Sequence, residues 1–168
     1  MAQNRGKQFE EVVKKAFLKI PDVSIDRLHD QMNGYLGSSN IADFIVYKKP
    51  YEYYIECKSV HGNTLSICGN DPKHKYGNIT NKQWEGLLEK SKIKGVIAGV
   101  LCWWVDKDVT KFIPIQTLVQ LRQTEMKSVR YDLGCLEIMT VLGKKKKVFF
   151  DYDMEYFFHQ IEKRERRN

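Results

Sequence analysis

The sequence predicts a mixed α/β domain in which a single β-sheet is flanked by helices. Apolar residues recur at helical spacing near both ends and in the middle of the chain, and runs rich in β-branched and aromatic residues lie between them. The resulting order of elements is α-β-β-β-α-β-α, and no internal repeat or linker interrupts it. Residues 1–168 are therefore expected to form one domain.

Composition narrows the function classes before any motif is considered. Lys and Arg number 28 against 21 Asp and Glu, which gives a formal net charge of +7 and favours a polyanionic partner. Four widely spaced cysteines without a CxxC pair argue against a zinc site. No signal peptide opens the chain, and no apolar run approaches the ~18 residues that span a membrane. Free thiols without an export signal predict a cytoplasmic protein with no membrane partner.

The first helix is predicted from an apolar stripe that ends before Pro21. The stripe consists of Phe9, Val12, Val13, Ala16, Phe17 and Ile20. Val23–Leu28 alternates as a short strand, and the segment after it, rich in Gly, Ser and Asn, indicates a loop. Two further strands lie within Ile41–Ser59 and are joined at Lys49–Pro50.

The elements after this hairpin follow from the same rules. His61–Asn78 is predicted to be a long loop with a brief strand at Thr64–Ile67. Thr80 is a candidate N-cap, and Gln83 stands at the capping-box position, which predicts a helix. The remaining elements are a buried central strand at Gly95–Val105, a strand at Lys111–Ile115, a helix around Gln116–Glu125, a hairpin turning around Gly143–Lys144 and a last helix at Met154–Arg164.

The predicted hairpin carries charges where a buried strand should have none. If its strands pair about the Lys49–Pro50 bond, Asp43 stands opposite Glu56 with Cβ atoms ~5 Å apart. Lys58 follows Glu56 by one pleat period and shares its face. The opposite face is expected to pack into the core, and it carries Ala42, Phe44, Val46, Tyr53, Ile55 and Cys57.

This group of charges is typical of a metal-dependent phosphodiesterase. Two close carboxylates repel each other unless a cation lies between them, and hard carboxylate oxygens suit Mg²⁺ or Mn²⁺. A nearby lysine can orient the attacking water and stabilise charge on the phosphate. The alternative is that Glu56 and Lys58 form a surface ion pair, since Glu-x-Lys alone has little value and recurs at Glu125 and Lys127. The apolar flanks and the opposed Asp43 favour the site.

The segments "IAD" and "YYIECKS" resemble the PD-(D/E)XK nuclease superfamily, with Asp43, Glu56 and Lys58 at its signature positions. "NRGKQFEEVV", together with the thirteen-residue interval from Asp43 to Glu56, resembles the RecU-type Holliday junction resolvases of Gram-positive bacteria and their phages. The resemblance implies a restriction-endonuclease-like core. It also implies in-line attack of water on phosphorus, leaving a 5′-phosphate and a 3′-hydroxyl.

The resemblance also implies the roles of particular residues. Asp43, Glu56, the Cys57 carbonyl and Glu10 would hold Mg²⁺, for which Mn²⁺ can substitute, and Lys58 would assist the water. Glu10 is chosen over Glu11 because only one of two adjacent helical glutamates can face the sheet, and Gly6-x-x-x-Glu10 matches the resolvase pattern. No small-molecule cofactor is expected. The partners would be a four-way DNA junction and a second copy of the chain, in a bacterial cell or a phage-infected host.

One feature departs from the RecU pattern. Those enzymes carry a long stalk between the first strand and the site aspartate, whereas only about fifteen residues separate His29 from Asp43 here. The mode of junction recognition is therefore left open. Two functions other than junction cleavage are also considered. One is a restriction- or repair-type nuclease acting on duplex or flap DNA. The other is a non-catalytic basic DNA-binding protein whose carboxylates form only ion pairs.

Several basic clusters are candidate phosphate contacts, although each by itself is typical of a solvated surface. Beside a nuclease centre they predict nucleic-acid binding that weakens steeply with salt. The resemblance adds a glutamine from the helix after the site. The predicted nucleic-acid-binding residues are Arg5, Lys7, Lys48, Lys49, Lys73, Lys75, Gln83, Lys144 and Lys145.

Overall fold

The structure is a computed structural model that describes residues 4–28, 40–69, 76–135 and 137–167. Within these ranges the helices are α1 (Arg5–Phe17), α2 (Asn81–Ser91), α3 (Ile115–Gln123) and α4 (Met154–Glu165). The strands are β1 (Ser24–Arg27), β2 (Phe44–Lys48), β3 (Tyr51–Val60), β4 (Thr64–Ser66), β5 (Val96–Trp104), β6 (Val109–Pro114), β7 (Ser128–Arg130), β8 (Met139–Thr140), β9 (Gly143–Lys145) and β10 (Phe150–Tyr152).

One mixed sheet of six strands forms the centre of the protein, in the order β1-β2-β3-β5-β6-β8. The β3–β5 pair is parallel and the other pairs are antiparallel. Helices α1 and α4 cover one face, where Phe158 of α4 packs against both Phe17 of α1 and Tyr53 of β3. Helices α2 and α3 cover the other face, where Trp84 and Leu118 lie in a second apolar cluster. The predicted fold class is confirmed.

The β2–β3 hairpin has the predicted register. Its partners run from Phe44 with Ile55 to Lys48 with Tyr51, and the turn contains a cis Lys49–Pro50 peptide bond. The ladder ends at Phe44, so the expectation that Asp43 pairs directly with Glu56 is wrong: the Asp43 N–H donates instead to the Ile55 carbonyl at 3.0 Å.

Loss of the ladder before Phe44 also changes where Ala42 packs. The alternation of faces stops where β2 begins, and Ala42 lies in the cluster beneath α2 and α3 rather than beside Phe44. The expectation that Ala42 shares the core face of Phe44 and Val46 is therefore wrong. The strand period predicts side-chain direction only where the ladder hydrogen bonds continue.

The C-terminal hairpin differs from the sequence prediction. Gly143 and Lys144 lie within β9, which pairs with β10, and the turn falls at residues 146–149. The expected partner strand is instead β8, which pairs with the edge of the main sheet at β6. A second pairing, between β4 and β7, joins residues more than sixty positions apart, and β7 was not predicted.

Among the helices in the described ranges, none combines the length and apolar character that crossing a bilayer takes.

Two local predictions about the central strand and its neighbouring helix are confirmed. Strand β5 is buried along nearly its whole length between β3 and β6. Its adjacent Trp103 and Trp104 point to opposite faces, one into each apolar cluster. Helix α2 begins after Thr80, whose side chain and that of Gln83 form the complete capping box.

Candidate active site

Asp43 lies at the entrance to β2 and is fixed by backbone contacts on both sides. Its carbonyl accepts a hydrogen bond from the Leu28 N–H at 2.8 Å, and its N–H donates to Ile55. Its carboxylate accepts from the Cys57 N–H at 2.7 Å. The side chain thus takes the place of a ladder carbonyl, which holds the carboxylate beside the backbone of β3.

Glu56 is a buried carboxylate in the middle of β3. Only 5% of its side chain is exposed, and its Oε1 lies 2.8 Å from the Lys58 ammonium. The Gln83 amide donates to the same oxygen at 2.6 Å. Burial raises the pKa of Glu56, the negative charges of Asp43 and Glu10 add to this shift and Lys58 opposes it, so that the resulting pKa is about 8.

Gln83 connects the site to the start of α2. Its side-chain oxygen accepts from the Thr80 N–H at 3.0 Å and from the Lys58 ammonium at 3.3 Å, while its amide nitrogen donates to Glu56. The residue therefore closes the capping box and also contacts the polar cluster. The two interpretations of Gln83 from sequence are compatible, because the amide oxygen can accept from both Thr80 and Lys58 while the amide nitrogen donates to Glu56.

The first helix presents Glu10 toward this cluster and Glu11 toward solvent. The Glu10 side chain is 17% exposed against 49% for Glu11. Burial and then the charge of Asp43 raise the pKa of Glu10, while Arg27 lowers it. Arg27 forms ion pairs with both glutamates, at 2.7 Å to Glu11.

Arg27 was not predicted from the sequence. It shares a strand face with Ile25, which packs against the core under α1, so a cation lies on the inward side of β1. The position of Arg27 on the inward face of β1 could have predicted its role, because an inward-facing arginine is seldom left without an acidic partner.

The structure brings together Asp43, Glu56, Lys58, Glu10 and Gln83, and the Cys57 backbone joins them through Asp43. Their catalytic and metal-binding roles stay predictions. The predicted nucleic-acid contacts divide into those near the site, those at the opposite end of β3 and those outside the described residues.

The predicted nucleic-acid-binding residues that lie near the site belong to α1 and the C-terminal hairpin. Arg5 and Lys7 lie exposed on the first turn of α1, where a Cβ on Gly6 would stand 3.8 Å from the Ser59 hydroxyl. Lys144 and Lys145 lie on β9, and Lys145 pairs with Asp108 just beyond the C-terminal end of β5. Because β3 and β5 are parallel, this hairpin is at the same end of the sheet as the site.

The other predicted contacts lie elsewhere. Lys48 and Lys49 are at the β2–β3 turn, the opposite end of β3 from Lys58. The Lys48 ammonium lies 5.5 Å from the centre of the Phe158 ring. Lys73 and Lys75 fall outside the described residues.

The donor chemistry of the cluster fits a divalent cation. Glu10, Asp43 and Glu56 supply hard oxygen atoms. Burial, and then repulsion among these carboxylates, raises the pKa of Glu10 and Glu56, and a bound cation would relieve that repulsion. In the part of the chain that the structure describes, no three His, Cys, Asp or Glu side chains converge into a metal-binding group. Each carboxylate is turned to a protein partner instead, and metal binding would require those side chains to reorient.

Comparison with known proteins finds similarity in structure and no significant match in sequence. No family model matches the sequence, and no curated protein matches it significantly. Among solved structures, Hjc from Archaeoglobus fulgidus, a Holliday junction resolvase from an archaeal hyperthermophile, aligns at a TM-score of 0.46 and 18% identity. The alignment covers 66% of this chain and 78% of that chain. A likeness of this degree does not establish a shared family, and the function is inferred from the site itself.

Proposed function

We propose that the chain is a divalent-metal-dependent nuclease that hydrolyses phosphodiester bonds in DNA, with residues 1–168 acting as one nuclease domain. The observation that carries this proposal is the buried Glu56 carboxylate. It is held by Lys58 and Gln83, and burial, together with the charges of Asp43 and Glu10, raises its pKa. A purely structural strand position rarely gathers three carboxylates and one ammonium, and perturbed carboxylates cluster at functional sites.

Each residue is assigned a role from its contacts. Asp43, Glu56, Glu10 and the Cys57 carbonyl would hold Mg²⁺ or Mn²⁺, and the ion would lower the pKa of water and stabilise charge on the phosphate. Lys58, with 20% of its side chain exposed, has an ammonium that can reach a phosphate oxygen or the attacking water. Gln83 keeps Lys58 and Glu56 in fixed relation through its hydrogen bonds to both.

We further propose that the substrate is a four-way DNA junction. The support is the RecU-like sequence at Asn4–Gly6, the position of Glu10 and the interval from Asp43 to Glu56. A junction has two symmetric strands to cut, so the active form would be a homodimer with two sites. Such an enzyme would act in the cytoplasm of a bacterium, encoded by the cell or by a phage.

A second candidate function is a basic DNA-binding protein without catalytic activity. The observation in its favour is that the acidic side chains have protein partners: Lys58 for Glu56 and Arg27 for Glu10. Ion pairs of this kind can be purely structural.

The deciding experiment is cleavage of labelled four-way junction, duplex and flap DNA, with and without Mg²⁺. We expect Mg²⁺-dependent cutting of the junction, and its loss in Asp43→Asn, Glu56→Gln and Lys58→Ala variants that still bind the junction. Binding without any cutting would favour the non-catalytic protein. Cutting of duplex or flap DNA in preference to the junction would show that the substrate is that DNA and not the four-way junction. Near-normal turnover of any of the three variants would remove that residue from the site.

A further inference from the structure

A second concentration of positive charge lies at the end of the sheet opposite the candidate active site. Three segments meet there: the β2–β3 turn, the loop between α2 and β5, and the last turns of α4. One groove joins Lys49 in the turn to Arg166 of α4. Another joins Lys94 in the loop to Arg164 of α4. We call this surface the basic end, and it comprises Lys48, Lys49, Lys92, Lys94, Lys163, Arg164, Arg166 and Arg167.

The basic end continues around α4. On the side of the helix that faces β8, Lys163 and Arg167 line a groove together with Tyr156 and His159. Lys163 is in the last turn of α4 and Arg167 follows the end of the helix, and both side chains line this groove. The tyrosine is 43% exposed, so this groove offers an aromatic ring beside two cations.

Only some of these cations are neutralised within the protein. Arg164 forms ion pairs with Glu137 and Glu165, and Lys92 forms one with Glu89. Arg166 lies 4.0 Å from Glu162. Four others are exposed and make no ion pair with a described residue, and these are Lys49, Lys94, Lys163 and Arg167.

Helix stabilisation does not account for this arrangement. Cations in the last turn of α4 interact favourably with the helix dipole. However, Lys49 and Lys94 belong to other segments. The hydrogen bond from the Glu52 N–H to the Gly95 carbonyl at 2.9 Å joins these two segments to each other, and each shares a groove with the end of α4. Unpaired like charges gathered from three segments repel one another, and a polyanion laid across them would relieve that repulsion.

We propose that the basic end binds the phosphate backbone of a second segment of nucleic acid, distinct from the segment whose bond is cut. This inference rests on the proposed function, because it takes DNA as the ligand. Lysine and arginine contacts to phosphates position a duplex without reading its sequence. No metal-binding or catalytic group is assigned to this surface.

The distance between the two surfaces sets the size of the ligand. Seven residues separate Tyr51 from Lys58, which at about 3.3 Å per residue is roughly 23 Å. At 3.4 Å per base pair, a ligand reaching both ends needs on the order of seven base pairs. Two arms of a branched DNA, or one duplex passing along the sheet, meet this requirement, whereas a mononucleotide does not.

The test is the salt dependence of junction binding with Ca²⁺ in place of Mg²⁺. The full-length wild type is compared with Lys94→Gln/Arg167→Gln and with the control Lys15→Gln/Lys127→Gln, which removes the same charge from exposed residues outside both surfaces. Each phosphate contact contributes about 0.9 to the slope of log K against log salt. We expect the basic-end variant to lose about 1.8 from that slope, and the control to keep the wild-type slope.

A second readout is chemical acetylation of lysines in the wild type. We expect junction DNA to protect Lys49, Lys94 and Lys163 and to leave Lys15 reactive. A basic-end variant with the same slope as the control, or equal reactivity of Lys94 with and without DNA, would overturn the inference. Mg²⁺-dependent nicking by the wild type is measured in parallel. A full salt slope without nicking would overturn the proposed nuclease function and leave the basic end standing as a DNA-binding surface.

Discussion

Glu56 is the one charged residue that is buried among the residues that the structure describes. Its burial is tolerated because Lys58 and Gln83 contact the carboxylate directly. Even so, its pKa rises to about 8, since desolvation outweighs the nearby ammonium. The protein alone therefore does not fully stabilise the charged form of this carboxylate. A bound divalent cation would favour that charged form.

The first prediction concerns the pH dependence of metal-free stability. The pKa of Glu56 is near 4.5 in the unfolded chain and about 8 in the folded protein, so between these values the folded state binds more protons. Its contribution to the free energy of unfolding is therefore largest at acidic pH and is lost as pH rises toward 8. In EDTA, urea unfolding of the wild type should show a larger loss of stability from pH 5 to pH 8 than Glu56→Gln does. If the stability of the wild type and of Glu56→Gln changed in parallel with pH, the raised pKa of the buried Glu56 would be contradicted.

The second prediction separates Glu10 from Glu11. Glu10 is three times less exposed than Glu11 and interacts with Asp43. Glu10→Gln should lower the cleavage rate by on the order of 10²-fold, the scale of losing one well-placed electrostatic group. Glu11→Gln, the matched control, should change it little. Single-turnover cleavage with excess enzyme measures both, and a damaging Glu11→Gln beside a normal Glu10→Gln would reverse the assignment.

At the scale of elements, the packing of α2 against the segment before β2 holds the site together. Gly86 of α2 lies against Ile41, and a Cβ built on the glycine would stand 2.6 Å from the Ile41 Cβ. Ile41 is two residues before Asp43, and α2 carries Gln83. The missing side chain of Gly86 therefore lets the helix with Gln83 approach the strand entrance with Asp43.

The third prediction follows from this contact. Gly86→Ala should destabilise the protein by about 1–3 kcal/mol through overpacking, although Ala in an exposed helix would normally be favoured over Gly by about 1 kcal/mol. Cleavage should fall as well, because Asp43 and Gln83 are pushed apart. The double variant Gly86→Ala/Ile41→Ala makes space for the added methyl group and should be more active than Gly86→Ala alone. Additive losses in this double-mutant cycle would show that the contact does not position the site.

At the scale of the whole molecule, the sheet separates two positively charged regions. The site, Arg5, Lys7 and the β9–β10 hairpin lie at the C-terminal end of β3. The basic end lies at the opposite end of the sheet, about the span of a short duplex away. Such a distribution suits a branched or bent ligand better than a small one, in keeping with the function proposed above.

The fourth prediction concerns the proposed homodimer. Sedimentation at micromolar concentration should give about twice the mass of the 19.8 kDa chain. Mixed dimers containing one Lys58→Ala subunit should nick one strand of the junction and leave the symmetric strand intact, since each subunit carries its own site. A monomeric mass for a protein that still cuts both strands would contradict two-site action.

Local features of the fold were readable from the sequence because short-range physics fixes them. The apolar stripe of α1, the Thr80–Gln83 capping box and the buried run of β5 each depend on neighbours within a few residues. The β2–β3 register also followed, because a tight turn sets which residues oppose each other. These local rules were enough to nominate Asp43, Glu56 and Lys58 together.

Only the tertiary structure decided how distant segments meet. Strand β8 joins the main sheet and β7 pairs with β4 through contacts that no local pattern specifies. In the same way, Arg27 reaches Glu10 because β1 lies beneath α1. Lys49, Lys94 and Arg167 form one surface because three chain segments meet at the same end of the sheet. Sequence spacing determines which residues share a strand or helix face, whereas the packing of whole elements determines which of those faces meet.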